Sequence, residues 1–162
     1  MFDFSPAPGA PKTEIYHDLR EAALAITAGE SDNVANMANI AALIWQFLPD
    51  LNWAGFYRTV GDELVLGPFV GKPACIRIPF GRGVCGTAAA LGQTQLVRDV
   101  HEFPGHIACD GASASELVVP VMVDGAVVAV IDLDSPTLAR FDREDAEGVE
   151  ALASAIAGAI SG

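Results

Sequence analysis

Thiols, carboxylates and imidazoles are the side chains of this sequence that can do chemistry at sulfur or at a proton, and its cysteines number three: Cys75, Cys85 and Cys109. Cys75 and Cys85 stand in strand-like and turn-like runs, where a free cysteine behaves as a small buried packing residue. Cys109 is different. It lies in "HIACDGASASE" (106–116), a polar segment rich in glycine and serine that reads as an exposed loop, and an exposed thiol is the kind that reacts. The intervals between the cysteines give no CxxC pair of the zinc-knuckle or thioredoxin type. His101, His106 and Cys109 could supply a metal site, but no second close pair of ligands supports a closed four-ligand centre, so no metal is expected.

The carboxylates of interest end a strand. In "VVAVIDLDS" alternation puts Val128, Val130, Asp132 and Asp134 on one face and Val127, Ala129, Ile131 and Leu133 on the other. Two acids closing an apolar stripe call for a cation, a proton or water, and crowding raises the pKa of one of them. Read alone, the pattern also suits a solvated strand end before "SPT". Trp53, Gly55 and Tyr57 share a strand face too; the gap at Gly55 either admits a small apolar group between two rings or belongs to ordinary core packing. Glu116 opens a strand close in sequence to Cys109. "GRGVCG" has the glycines of a phosphate cradle but not the GxxxxGK[ST] pattern, and reads as a tight turn before a short helix.

The elements that must position these residues follow from periodicity. Ile15, Leu19, Ala22, Ala23 and Ile26 recur at helical spacing from about Thr13 to Ala28, with Gly29 at the C-terminal cap. Ser31 or Asp32 caps a second helix, striped by Val34, Met37, Ala41, Ile44 and Leu48, that runs until Pro49. From Trp53 the period becomes that of strands: "WAGFYRT" and "ELVLGPF" around Gly61-Asp62, then "CIRIPF" and, after the Ala-rich "GRGVCGTAAALG", a short "TQLVRDV". The pattern breaks down from about Asp99 to Ser115. "ELVVPVMV" and "AVVAVIDLD" form a hairpin through Asp124-Gly125. Asp142, with Asp145 three residues on, starts a closing helix. The order ααβββ(α)βββα is that of an α+β fold, an antiparallel β-sheet with N- and C-terminal helices packed on one face. Residues 13–162 form the single domain, and 1–12 are a flexible Pro/Gly/Ala-rich lead-in.

Composition excludes several function classes. A chain of 162 residues that is 51% hydrophobic builds its own core. Nine basic against 21 acidic residues, a formal charge of −12, repel a phosphate backbone, so nucleic acid is not expected as a partner. The longest apolar run, "AVVAVI", is far short of the roughly 20 residues of a membrane span. The N-terminal stretch has no basic segment followed by an apolar one. A cytoplasmic protein is expected, and there an odd number of cysteines argues against a disulfide framework. Apolar helix faces permit a homodimer without requiring one.

Taken together, "NWAGFY", "LVLGPFVGKPACIRIPFGRGVCGTAA", "DVHEFPGHIACDGASASE" and "VIDLDS" closely resemble the free methionine-R-sulfoxide reductases, a family built on the GAF fold. The resemblance covers about residues 13 to 160 and includes all three cysteines. It implies a ligand pocket under loops on the sheet face opposite the terminal helices. It also implies that Cys109 is the attacking cysteine, Cys75 the favoured resolving partner and Cys85 an auxiliary thiol. Glu116, Asp132 and Asp134 then match acidic substrate-binding positions, and Trp53 and Tyr57 an aromatic wall. The implied reaction reduces free L-methionine-(R)-S-oxide through a sulfenic acid and an intramolecular disulfide, with thioredoxin as reductant and no cofactor. Two other readings compete, a GAF small-molecule sensor and a thiol redox switch without sulfoxide turnover. Against the sensor, an acidic pocket suits a phosphate ligand poorly, and a chain of this length leaves no room for an output domain.

Overall fold

A short side chain starts the second helix of this computed structural model, which describes residues 3–107 and 109–162. Of the two candidate caps, Asp32 is the one used: its Oδ1 accepts from the Ala35 amide at 2.8 Å and sets the start of α2 (Asn33–Phe47). Before it runs α1 (Lys12–Thr27), after which Gly29 takes the left-handed conformation, φ 77°, that turns the chain out of a helix. The closing helix α4 (Arg143–Ile160) begins with a reciprocal capping box between Asp142 and Asp145. Within the lead-in, Phe4 packs against the helical core and its carbonyl accepts from the Gln46 amide.

Between the helices lie β1 (Trp53–Val60), β2 (Glu63–Gly71), β3 (Arg77–Pro79), α3 (Gly83–Leu91), β4 (Gln95–Val97), β5 (Ser115–Val123) and β6 (Ala126–Ser135). The strands form one sheet in the order β3-β2-β1-β6-β5-β4, antiparallel at every pairing. The β5–β6 turn is made by Asp124 and Gly125 at φ 51° and 79°, the two left-handed residues a two-residue hairpin needs. Of "CIRIPF" only Arg77–Pro79 pairs as a strand, and of "TQLVRDV" only Gln95–Val97.

The sheet separates two cores. On one face Ala54, Phe56, Leu117, Val119, Ile131 and Leu133 pack against α1, α2 and α4. On the other, Trp53, Tyr57, Val118 and Val130 pack under α3 through Val84, Cys85 and Ala88, and under the loop residue Val100. The expected alternation along β6 holds except at one place. Pairing with β5 jumps from Val121↔Ala129 to Met122↔Val127. This bulge turns Val128 to the helical core and Val127 to the other face, the reverse of strict alternation. Val128 is therefore not on the Asp132 face. Among the described residues no helix is long and apolar enough to cross a membrane.

Candidate active site

Sheet register assembles the site. Across β1 and β6, Trp53 pairs with Asp134, Gly55 with Asp132 and Tyr57 with Val130. Across β5 and β6, Glu116 pairs with Asp134 and Val118 with Asp132. Side chains of one parity on three adjacent strands thus bring two rings and three acids onto one face. Glu116 is 6% exposed and Asp132 5%, against Trp53 at 3% and Tyr57 at 2%.

A cavity with an empty volume of about 530 Å³, counted out to its mouth, opens over this face. Trp53, Tyr57, Cys85, Cys109, Glu116, Asp132 and Asp134 line it, together with Arg82, Gly83, His106, Asp110 and Ser113. Cys75, the remaining residue singled out in the sequence, is bonded to Cys109 in a disulfide of Cα–Cα 5.7 Å. All eight sequence candidates are therefore gathered at one place. Cys85, from the first turn of α3, is a free and buried thiol whose Sγ donates to Glu116 Oε1 at 3.8 Å.

The aromatic pair has a second task. Tyr57 donates its hydroxyl to the Cys75 carbonyl at 2.9 Å, and Trp53 Nε1 donates to the Lys72 carbonyl at 3.1 Å. The segment before β3 is thereby fastened to β1, with Cys75 next to its disulfide partner. Of the two readings of the gap at Gly55, core packing is the one the structure bears out. A Cβ there would lie 2.4 Å from Phe69 Cβ, because β2 crosses closely at that point. The Phe69 ring then stacks on Trp53 with centroids 5.1 Å apart, while Trp53 and Tyr57 stack at 5.8 Å. Gly55 lets the Phe69 ring in behind Trp53, while Trp53 and Tyr57 themselves face the cavity.

Burial dominates the electrostatics. It pushes the Glu116 carboxyl well above its usual range, helped by the charges of Asp132 and Asp134. Asp132 is raised to about 6 by burial, and Asp134 well up by burial and by Asp132. The Cys85 thiol is raised by burial and then by Asp132 and Glu116, so it stays a thiol. Asp132 Oδ1 is buried with no hydrogen-bond partner among the described residues. The cluster thus holds a proton it can give to an oxygen, and an open acceptor that can receive an ammonium.

Two residues escaped the sequence reading. His106, considered there only as a metal ligand, lines the cavity with Nε2 3.8 Å from Glu116 Oε2. Burial and then the charge of His101 lower its pKa, so the ring is neutral beside the acid. Asn52 donates through Nδ2 to Asp110 Oδ2 and to Ser113 Oγ, both at 3.1 Å, and through its backbone N–H to the Asp134 carbonyl at 3.0 Å. It ties the loop carrying Cys109 to the sheet. Its only sequence signal was its place at the head of "NWAGFY". Among the described residues, the donor atoms that gather within 4.8 Å of one another are those of Cys85, Glu116 and Asp132. The trio His101, His106 and Cys109 does not form such a group: His101 pairs with Asp99 with its side chain 72% exposed, and Cys109 is in the disulfide.

Comparison with known proteins gives a consistent set of likenesses. The profile of the GAF domain family matches residues 20–160. The free methionine-R-sulfoxide reductase of Escherichia coli is 53% identical over 141 residues, covering 87% of this chain and 86% of that protein. The free methionine-R-sulfoxide reductase of Saccharomyces cerevisiae is 46% identical, covering 90% and 85%. Among solved structures, the free methionine-R-sulfoxide reductase of Neisseria meningitidis in complex with its substrate superposes with a TM-score of 0.93 at 42% identity, covering 99% of this chain and 96% of that one.

Proposed function

The chain belongs to the free methionine-R-sulfoxide reductases of the GAF family, and on that premise we propose that it reduces free L-methionine-(R)-S-oxide with Cys109 as nucleophile and the Glu116/Asp132/Asp134 cluster as acid and cation site. The observation that carries this reading is the shared cavity, where the Cys75–Cys109 disulfide meets a proton-holding carboxylate cluster with an unpartnered Asp132 oxygen.

In the reduced protein the Cys109 thiolate attacks the sulfoxide sulfur while a protonated carboxyl delivers its proton to the sulfoxide oxygen. The oxygen passes to Cys109 as a sulfenic acid and methionine leaves. Cys75 Sγ then attacks the sulfenic sulfur, water departs with the hydroxyl, and the disulfide results. Two electrons from an external dithiol, thioredoxin in the cytoplasm, return both cysteines to thiols and leave thioredoxin as its disulfide. Cys85, held protonated against Glu116, is an auxiliary hydrogen-bond donor rather than a nucleophile.

Selection for the free amino acid follows from charge. Its α-ammonium neutralises buried carboxylates, whereas a methionine sulfoxide inside a peptide has no ammonium and leaves them unpaired. The methyl group rests on Trp53 and Tyr57, where sulfur–aromatic contact adds about 0.3–1.5 kcal/mol. Fixing methyl, oxygen and ammonium at three places selects one sulfur epimer, the R form.

The test is NADPH consumption with thioredoxin and thioredoxin reductase, comparing the free R epimer, the S epimer and the N-acetylated R compound. Turnover confined to the free R epimer, abolished in Cys109→Ser, is expected. In Cys75→Ser one methionine per enzyme should form, with the sulfenic acid trapped by dimedone on Cys109. Equal turnover of the N-acetylated compound would refute the cation argument, and turnover by Cys109→Ser would refute the nucleophile.

A further inference from the structure

Cys85, Glu116 and Asp132 come from α3, β5 and β6, and their sulfur and oxygen atoms converge within 4.8 Å of one another in the floor of the cavity. We propose that in the reduced protein these three side chains bind a divalent cation of the zinc type, and that the bound ion closes the substrate cavity. The proposal does not depend on the roles given above to Cys109 and Cys75.

Geometry comes first. Zinc bonds of about 2.3 Å to sulfur and 2.0–2.2 Å to carboxylate oxygen, at a tetrahedral angle, place such ligands about 3.5 Å apart. Cys85 Sγ and Glu116 Oε1 already stand at 3.8 Å. No pair in the triad is more than 4.8 Å apart, so a closure of at most about 1.3 Å, within reach of a side-chain torsion, suffices. Asp132 supplies the observation that points to a ligand: it is 5% exposed, lines the cavity, and its Oδ1 has no partner among the described residues. His106 stands outside this trio, its Nε2 3.8 Å from the Glu116 Oε2 at the same cavity, so the fourth position falls to water or, after a movement of the ring, to His106.

The donor set decides the class of ion. Magnesium and calcium require six or more oxygens, mostly carboxylate, carbonyl and water. A cysteine sulfur and two carboxylates suit Zn²⁺, Co²⁺ or Cd²⁺ instead, and the incoming ion displaces the Cys85 proton to solvent as the thiolate–metal bond forms. A dication also meets the charge of the cluster more fully than the single ammonium of an amino acid does. The ion and the substrate therefore compete for the same carboxylates.

Cobalt(II) alone is the probe, because thiolate ligation gives it an intense charge-transfer absorption that carboxylates do not. The full-length protein is reduced, desalted without thiols and titrated with Co²⁺. The expected result is a charge-transfer band saturating at one ion per chain and erased by equimolar Zn²⁺. The band should persist in the Cys75→Ser/Cys109→Ser double variant and vanish in both Cys85→Ser and Cys85→Ala, whose folding is checked by circular dichroism. Glu116→Gln and Asp132→Asn should each weaken Co²⁺ binding at least tenfold. No band in the reduced protein overturns the proposal. So does a band that survives in Cys85→Ser and is lost in the double variant, which would assign the metal to the other two thiols. The readout involves no turnover, so failure of the reductase reading and failure of the metal site are told apart.

Discussion

Replacing Asp132 by asparagine should make the folded protein more stable above neutral pH and nearly inactive, and the size of the effect follows from its surroundings. Asp132 is 5% exposed and burial raises its carboxyl to about 6, whereas in an unfolded chain it titrates near 3.9. A group raised in this way contributes its full stability below the unfolded pKa and loses it as pH rises through the folded one. The window is therefore about pH 4 to 6. At 1.36 kcal/mol per pKa unit the loss is about 3 kcal/mol. Asparagine has the same shape and no proton to lose, and its amide can donate to Glu116. The variant should exceed the wild type by about 3 kcal/mol at pH 8, and the gap should close by that amount on going to pH 4.

Urea unfolding across pH 4 to 8, with the cysteines held in one redox state throughout, measures this directly. For a domain of this length 1 kcal/mol corresponds to about 2–4 °C in Tm, so the shift at pH 8 is about 6–12 °C. On the proposed reading the same substitution removes a buried partner of the substrate ammonium, which costs about 2–5 kcal/mol, or at least about thirtyfold in kcat/KM. A stability gap that does not change with pH, or a variant less stable than the wild type at pH 8, would refute the reasoning.

Three further outcomes are expected. Gly148→Ala drives a Cβ to 2.2 Å from the ring of Tyr16, a buried residue whose hydroxyl donates to Asp145 at 2.7 Å; overpacking should cost about 1–3 kcal/mol, read as a lower Tm by calorimetry, and an unchanged Tm would mean that the ring can move. Asn52→Ala removes two side-chain hydrogen bonds to the loop, each worth about 1 kcal/mol, so amide exchange across residues 109–114 should quicken while β5 and β6 stay protected; uniform protection would show that something else holds the loop. In the reduced protein Cys85, buried and with its thiol pKa raised by burial and by Asp132, should be alkylated by iodoacetamide at pH 8 at least tenfold more slowly than Cys109; equal rates on peptide mass mapping would contradict its burial beside the acids.

Element order was legible because punctuation and period agree. Asp124-Gly125 between two β-branched runs, and Asp142 with Asp145 ahead of an apolar stripe, are local signals that tertiary structure had no reason to overrule. What alternation misjudged, at Val127 and Val128, is a bulge, one extra residue in the pairing that only the partner strand can reveal. What fills the gap at Gly55 was hidden for a like reason. Its occupant, Phe69, sits on the neighbouring strand 14 positions away in sequence, and nothing in "WAGFYRT" says which residue will cross there. Asn52 and His106 act through contacts with a loop and with a strand residue that neither composition nor spacing encodes.

The acid cluster carries the clearest trace of what the sheet is for. A strand pair that sets Glu116 directly opposite Asp134, with Asp132 buried two residues away, combines like charges across a ladder with burial of anions, and both choices destabilise a folded chain. Among the described residues no lysine or arginine forms an ion pair with that cluster, and the neutral imidazole of His106 stands 3.8 Å from Glu116. The protein instead keeps protons on the cluster and leaves one oxygen of Asp132 open. An arrangement of this kind is unfavourable in the resting protein and becomes favourable when a cation arrives, which makes the charge of the ligand, more than its shape, the property this sheet face selects. An α-ammonium would fulfil that condition beside a reducible sulfoxide, and a zinc-type ion would fulfil it without one, so both proposed ligands follow from the same imbalance.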